Sequence, residues 1–587
     1  MLKQDPLANV LYVDLSKKRY WVERREDLFE KFLGGTGAAV QLLFEECPSG
    51  ADPLGPENPV ILAVGPLSGL FPLASKTVAV FKSPHTGNLG ESHAGGRSAI
   101  AMRMAGYGAV VIRGASETPL YLAIHGERVY FRDASSLWGM NSAFTVGRII
   151  REKEPSPGHR TIMKIGRAGE NLVSYSCVTV DTYRHFGRLG LGAVFGAKKL
   201  KAVVISGKRS LPVADMPEYR RVYDEIFRTA VNSPVMKKYH DIGTAENVLP
   251  LNALGGLPCR NLQSGSFEGA EGISGEKLAQ EYLGRRLACS HCPVGCVHIA
   301  ALRRPYGDEP YFYKTTMPSY DYELIYALGS VLGGSDAAEL LDMIELVESL
   351  GLDAISTGVV LAWATEAAQK GLISENETRG LGFKWGDYSQ YREAVKLIVE
   401  QPNDFYRALA RGVVHAASIY GGQDFALAYG GNEMPGYHTG PAAHLGFLIG
   451  ARHSHLDNAG YSADQKCLAG GGALPAPGKL VLELLAEESW RQVLSSLAVC
   501  FFARGIYQPQ TAEKALRAAG CPYAEEDLLR LGETILRDKY RFKINNGFSP
   551  DQLRFPKRIF EVNSAWGKLD ERYLREAVDY WAGKLFS

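Results

Sequence analysis

The run Cys289-Ser-His-Cys292-Pro-Val-Gly-Cys296 places three thiols at C-x2-C-x3-C spacing. Three thiolates this close can take three corners of a [4Fe–4S] cube and leave the fourth corner to a distant ligand. Pro293 and Gly295 suit the tight turns that such wrapping needs. Structural zinc sites usually pair one C-x2-C with a second, and no second one occurs here. Three neighbouring buried cysteines with no ligand would be the blandest account of the run. The spacing is also the reverse of the radical-SAM order, C-x3-C-x2-C. For the fourth corner the residues leave two choices. Cys500 ends the helical stretch LVLELLAEESWRQVLSSLAVC, and Cys259 lies in GLPCRN; either could instead be a small buried apolar residue.

The elements that must position these thiols fall into two textures. Residues 8–24 alternate as two strands around a Ser-Lys-Lys turn, and LYLAIHGERVYFRD at 120–133 repeats that pattern around Gly126. VILAVG, TVAVFKS, AVVIRG, TIMKIG, VSYSCVTV and KAVVISG add further short strands, so residues 1–208 read as a β-sheet domain. After LPVADMP, residues 211–217, helical periodicity takes over, as in Leu340, Ile344, Val347 and Leu350 on one face. The rest reads as mainly helical, in two domains, 209–428 and 429–587, with loops expected at 429–441 and 469–478. The fold class is therefore α+β, with no internal repeat and no low-complexity tract.

A chain of 587 residues is too long for one ordinary core. Lys+Arg at 65 against Asp+Glu at 64 provides no basic face for nucleic acid. The N-terminus lacks the apolar core of a signal peptide, and no run of 18 apolar residues occurs, so a cytoplasmic protein with no membrane span is expected. Nine cysteines is an odd count, and a reducing compartment turns them toward metal or chemistry rather than disulfides.

Five segments of the first third, FLGGTGAAVQLLFEE, DPLGPENPVILAVGPLSG, KSPHTGNLGESHAGG, AGYGAVVIRG and GRAGENLVSYSCVTV, followed by GRLGLGAVFGAKKLKAV, resemble the tungsten-dependent aldehyde:ferredoxin oxidoreductases in order and spacing. The family's C-x2-C-x3-C is matched by Cys289, Cys292 and Cys296, and its fourth cluster cysteine by Cys500. The resemblance implies a tungsten (or molybdenum) centre held by two pterins, one [4Fe–4S] cluster, and a magnesium ion joining the pterin phosphates. It implies an N-terminal β domain as the base for the two pterins. It further implies aldehyde oxidation to carboxylic acid, electrons passed to ferredoxin or a ferredoxin-like subunit, and an oligomer. Relatives that reduce aromatic acyl-CoA give an alternative, a low-potential reductase subunit acting on aromatic acyl-CoA or carboxylic acids, and a non-catalytic iron–sulfur electron-transfer subunit gives another.

The resemblance also assigns residues. One pterin loop of D-x-x-G-L-D/C type is matched by Glu348-Ser-Leu-Gly351-Leu352-Asp353, where Asp353 could equally be a plain helix cap. The second is matched by Ser495-Ser-Leu-Ala-Val499-Cys500, without the acid and the glycine. His93-Ala94-Gly95-Gly96 and Arg184-His185-Phe186-Gly187-Arg188 match the segments near the phosphates and magnesium, and Lys76 stands where the family has an arginine between cluster and pterin. Glu323 matches the family's acid, at a predicted helix start where the dipole alone would favour a carboxylate, although the motif's proline is displaced to Pro318. His455 is the matching histidine, with His453 one short step away. In these roles His455 would stabilise a developing oxyanion and Glu323 would take a proton.

Overall fold

The computed structural model describes residues 5–154, 159–307 and 309–585. The chain divides into two compact units, the first comprising Met1–Lys237, Ala288–Gly295 and Ala486–Phe548, the second Lys238–Leu287, Cys296–Leu485 and Ser549–Ser587.

The first unit is built on two six-stranded sheets. The strands of one are β1 (Asn9–Asp14), β2 (Arg19–Arg24), β3 (Val60–Ala63), β4 (Thr77–Lys82), β5 (Leu89–Ala94) and β6 (Ala109–Arg113). The strands of the other are β7 (Leu120–His125), β8 (Arg128–Asp133), β9 (His159–Ile165), β10 (Val178–Val180), β11 (Arg184–Phe186) and β12 (Leu200–Gly207). The orders are β2-β1-β6-β3-β4-β5 and β8-β7-β12-β9-β10-β11. They are one topology used twice, with a single parallel pair in each, β1 with β6 and β7 with β12. Each sheet also inserts a helix after its opening hairpin, Gly35–Glu46 and Ala143–Lys153. Each inserts another before its last strand, Ser98–Ala105 and Leu191–Ala197.

The expectation of no internal repeat is thus corrected at the level of hydrogen-bond order. Identity between the halves is not needed to keep it, because an inward-facing position accepts any apolar residue of suitable volume. Val146 and Ile150 of one helix pack on Tyr121, Ala123, Ile162, Ala202 and Val204 of the second sheet. Full burial of a side chain of that size contributes about 1.5–3 kcal/mol. β12 is buried along its whole length.

The second unit is mainly helical, with one departure from the sequence reading. Residues 283–320 contain β13 (Leu283–Leu287), β14 (Val297–Ala300), β15 (Leu302–Tyr306), β16 (Glu309–Thr316) and β17 (Ser319–Tyr320), forming a three-stranded sheet, β13-β14-β17, and a hairpin, β15-β16. These strands carry exposed Arg285, Arg286, Arg303 and Tyr311 rather than an alternating apolar face, which hides them from a pattern search. The helix Ala337–Leu350 buries Leu340, Ile344 and Val347 as their spacing predicts. The next helix, Ala354–Gln369, is buried from Ala354 to Ala367 on every side, which makes it a central core helix. Among the described residues no single helix is long and apolar enough to cross a membrane.

Candidate active site

In the first unit the two repeats meet at their edge strands. Gly95 and Gly96 follow β5, and the duplicate position after β11 holds Gly187 and Arg188, so the two glycine segments singled out in the sequence are equivalents. The seam is close. A side-chain carbon on Gly95 would lie 3.7 Å from Arg184 Nε, and one on Gly96 would lie 3.6 Å from Asp181 Oδ2.

The first thiol, Cys289, sits on this seam. Ser290 N–H donates to Gly96 O at 2.9 Å, and a side-chain carbon on Gly95 would stand 2.8 Å from Cys289 Sγ and 3.5 Å from Lys76 Nζ. Glycine at 95 is therefore what lets the thiol approach. Burial alone would raise the Cys289 thiol, but Arg184 and Lys76, with the Gly96 backbone, outweigh it and hold its pKa below the ordinary value. Such a thiol is prepared to serve as a thiolate ligand.

Leu73 joins this turn to the distant cysteine. Its N–H donates to His291 O at 2.9 Å, and its carbonyl accepts Cys500 N–H at 2.9 Å. His291 and Gly295 are both left-handed, at φ 56° and 65°, as a chain wrapped tightly between ligands requires. Cys296 belongs to the second unit, directly before β14, where its carbonyl meets His298 Nδ1 at 3.2 Å. Cys259, the other sequence candidate, lies fully buried in that unit, its Sγ 3.3 Å from Ser266 O and its thiol pushed up to about 11 by burial. It has the character of a packed structural thiol. Among the described residues no three His, Cys, Asp or Glu groups stand close enough to share one metal ion; an iron–sulfur cube sets its cysteines farther apart than a single ion does.

The loop at 495–500 is pressed against the N-terminal glycines. A side-chain carbon on Gly35 would meet Ser495 O at 2.0 Å, and one on Gly65 would meet Leu497 C at 2.3 Å. Gly37 N–H donates to Ser496 Oγ at 3.1 Å, and Lys76 N–H to Ala498 O at 3.0 Å. Ser495 and Val499 are buried. Ala498 takes φ 60°, with Ala498 N–H on Ser495 O at 3.1 Å and Val499 N–H on Leu494 O at 2.9 Å. This is the left-handed helix stop that normally uses glycine, here kept without one.

Next to the seam, His93 Nε2 lies 2.7 Å from Glu91 Oε1, and Lys539 Nζ 2.6 Å from Glu91 Oε2; Ala94 is buried. His185, opposite Thr179 in the β10–β11 ladder, is pushed down to about 3 by burial, with Lys164 and Arg184 adding to the shift. His185 Nε2 and Thr179 Oγ1 are buried with no hydrogen-bond partner. Buried polar atoms are seldom left this way, and a polar ligand edge against this strand pair would satisfy both.

In the second unit the loop at 348–353 repeats the backbone of 495–500. Gly351, at φ 79°, donates to Val347 O at 3.1 Å, and Leu352 donates to the same carbonyl at 3.1 Å. Asp353 caps the following helix, Oδ1 accepting Ile355 N–H at 3.0 Å and Oδ2 accepting the Ser356 hydroxyl at 2.6 Å. Glu348 is different. Its Oε1 accepts the Ser319 hydroxyl at 3.0 Å, while Oε2 is buried with no partner. Burial pushes this carboxyl up to about 8, with Glu345 and Asp321 adding to the rise against the Ser319 hydrogen bond. A carboxyl that burial keeps protonated, with one oxygen missing a partner, can donate to a ring acceptor. The residues present therefore fit a heterocycle such as a pterin at Glu348 and His185, and thiolate ligation at Cys289.

Glu323 and His455 come together, with His455 Nε2 3.5 Å from Glu323 Oε1. Glu323 is not the helix cap. Asp321 takes that role by accepting Leu324 N–H at 3.2 Å, which leaves Glu323 Oε2 to accept Gly436 N–H at 3.1 Å. His453 is held elsewhere, Nδ1 3.2 Å from Phe447 O. The Ser454–Asp457 capping box makes His455 the first residue of the helix His455–Asn458, and that S-x-x-D pattern was readable in the sequence. Gly436 and its neighbours were not foreseen. The Tyr322 hydroxyl donates to Gly436 O, so Gly436 is held through both its N–H and its carbonyl.

Residues 10–207 match the N-terminal domain of aldehyde ferredoxin oxidoreductase, and residues 221–581 match that family's domains 2 and 3. A tungsten-containing aldehyde ferredoxin oxidoreductase of Thermococcus kodakarensis is 34% identical over 572 residues, covering 94% of this chain and 91% of the relative. One of Pyrococcus furiosus is 33% identical over 561 residues, covering 92% and 89%. An aliphatic sulfonate oxidoreductase, WOR-like subunit, of the same organism is 32% identical over 428 residues, covering 70% and 66%. In fold, the chain is similar to the active-site complex BamBC of benzoyl coenzyme A reductase bound to 1,5-dienoyl-CoA, with a TM-score of 0.83 at 21% identity, covering 99% of this chain and 94% of that one. With both domain families matched along nearly its whole length, the chain belongs to the aldehyde ferredoxin oxidoreductase family of oxidoreductases.

Proposed function

We propose that the chain oxidises aldehydes to carboxylic acids at a tungsten (or molybdenum) bis-pterin centre and passes the electrons to ferredoxin or a ferredoxin-like subunit. The observation that carries this reading is the Glu323–His455 pair at 3.5 Å, an acid and an imidazole at hand for one small polar substrate, in a chain of this family. Overall, aldehyde and water give carboxylic acid, two protons and two electrons. The bound metal supplies the two-electron acceptor, and a [4Fe–4S] cluster supplies the one-electron exit.

The chain's own residues handle the rest. His455 Nε2 donates to the carbonyl oxygen as charge builds on it, an interaction strongest in the transition state. Glu323, held by Gly436 N–H, takes the proton released when water oxygen bonds to the carbonyl carbon. Cys289, Cys292, Cys296 and Cys500 would hold the cluster, with Lys76 and Arg184 compensating its negative charge. Glu348, Asp353, Ser495 and His185 would meet the pterin edges. The carbonyls of the 93–96 and 184–188 segments would hold a magnesium ion between the phosphates, with Arg184 and Arg188 neutralising charge.

Glu323→Gln is expected to keep metal and iron near one site's complement per chain while turnover falls by about 10²–10⁴-fold, the usual contribution of a general base. Near-normal turnover in that variant would remove Glu323 from the role. Metal analysis with an aldehyde panel tests the reading as a whole, and tungsten and molybdenum both absent from a purified, iron-replete protein would overturn it.

A further inference from the structure

Three tyrosine rings surround the acid–imidazole pair. Tyr437 stacks on Tyr461 with centroids 4.1 Å apart and planes at 17°. The same ring meets His455 at 5.5 Å and Tyr322 at 4.9 Å, and Tyr461 lies 6.2 Å from His455. Tyr322 and Tyr437 are buried, but Tyr461 is only half-buried. One face of Tyr461 is used on Tyr437, and the rest of the ring stands beside a pair whose side chains keep 17% and 11% exposure, Glu323 and His455 in that order. A ring that merely filled the core would be buried as fully as Tyr322 and Tyr437 are.

Tyr461 is also held firmly. It sits in the first turn of the helix Gly460–Ala469, and a side-chain carbon on Gly460 would meet Ala442 O at 1.9 Å. One turn on, Asp464 accepts Ala442 N–H, Ala443 N–H and the Thr439 hydroxyl, each at 2.9 Å. Those three bonds tie Tyr461's helix to the start of the helix Pro441–Ile449, and the stack on Tyr437 holds the ring itself.

We infer that Tyr461, backed by Tyr437, is the specificity wall of this site, and that the site takes aromatic aldehydes in preference to short aliphatic ones. The inference rests on the aldehyde-oxidation reading. The aryl aldehyde loses its carbonyl C–H bond and gains a C–O bond from water, giving the aryl carboxylic acid, two protons, and two electrons for a ferredoxin-class acceptor. A planar ring offset-stacked on Tyr461 would present its carbonyl to His455 and Glu323, whereas a two- or three-carbon chain would leave the wall uncovered.

The test uses the holoenzyme with methyl viologen as acceptor and compares benzaldehyde and phenylacetaldehyde with acetaldehyde and propionaldehyde. The aryl substrates are expected to lead by about tenfold in kcat/KM, the scale of an added aromatic contact. Tyr461→Leu should erase that lead by lowering the aryl values about tenfold more than the aliphatic ones, while Tyr461→Phe, which keeps the ring, should preserve it. Calorimetric binding of benzamide, an unreactive carbonyl, should weaken by about tenfold in Tyr461→Leu and remain unchanged in Tyr461→Phe. Aliphatic aldehydes turning over as fast as aryl ones, or Tyr461→Leu lowering both classes equally, would overturn the wall and leave aldehyde oxidation standing. A metal-replete enzyme that oxidises neither class overturns both.

Discussion

Gly95→Ala should damage the proposed cluster site while sparing the fold. A methyl at this position would stand 2.8 Å from Cys289 Sγ, whereas a comfortable carbon contact needs about 3.5–4.0 Å, so the sulfur must retreat by about 1 Å. In a protein without its cluster the thiol can rotate away at little cost. Tied to iron it cannot, so the strain falls on cluster retention. Overpacking of this kind costs about 1–3 kcal/mol, or roughly 5- to 150-fold in retention. The duplicate position supplies the control, because a side-chain carbon on Gly187 meets nothing within 4 Å. Iron and acid-labile sulfide per chain, followed against a chelator, together with the low-temperature EPR signal of the reduced protein, should show Gly95→Ala losing its cluster and Gly187→Ala keeping it. Equal retention in the two variants would refute the placement of Cys289 on the seam.

Three further outcomes follow from local geometry. Ala498→Gly should stabilise the protein by roughly 0.5–1 kcal/mol, the left-handed strain relieved less the backbone entropy gained on unfolding, while Gly351→Ala should act in the opposite sense; thermal midpoints at a fixed scan rate decide it. Glu348, with its folded value raised from 4.5 to about 8, keeps its proton in the fold while the unfolded chain releases it. Stability from this group is therefore full below pH 4.5 and declines as pH rises toward 8. Glu348→Gln should flatten the fall of the cofactor-free protein's thermal midpoint across that window. Asp321→Ala removes the cap on Leu324 N–H, worth about 1 kcal/mol, and should lower kcat/KM by loosening Glu323 while iron content holds.

What the sequence revealed depended on whether side-chain identity or backbone geometry carried the information. The C-x2-C-x3-C run is a pattern of side chains able to ligate metal, so it is readable directly, whereas the choice of Cys500 over Cys259 needs a resemblance. The structure bears on that choice through backbone bonds to Leu73, a residue with no chemical signature. The duplicated sheet was invisible because strand order is recorded in hydrogen bonds, not in residue types; only the likeness of 8–24 to 120–133 hinted at it. The strands of 283–320 were missed for the opposite reason, since arginines and tyrosines on exposed faces erase the alternation on which strand reading relies. Gly436 and Tyr461 lie more than 100 residues from Glu323 in sequence and could be associated with it only by folding.

The loops at 348–353 and 495–500 show how far geometry can persist when residues change. Each ends a helix in a left-handed residue whose neighbours bond back to the helix's last carbonyls, one with glycine and one with alanine. The motif is fixed by the backbone, so the first and sixth positions are open to different chemistry. At the first, one loop carries Glu348, a buried carboxyl with one unpartnered oxygen, and the other carries the hydroxyl of Ser495. At the sixth, Asp353 turns back to cap its own helix, whereas Cys500 spends its N–H on Leu73 and leaves its thiol uncommitted to any helix. A ligand pair seated on these loops would therefore meet unequal edges. The edge at Glu348 would meet a carboxyl that burial keeps protonated and able to donate, and the edge at Ser495 would meet only a hydroxyl.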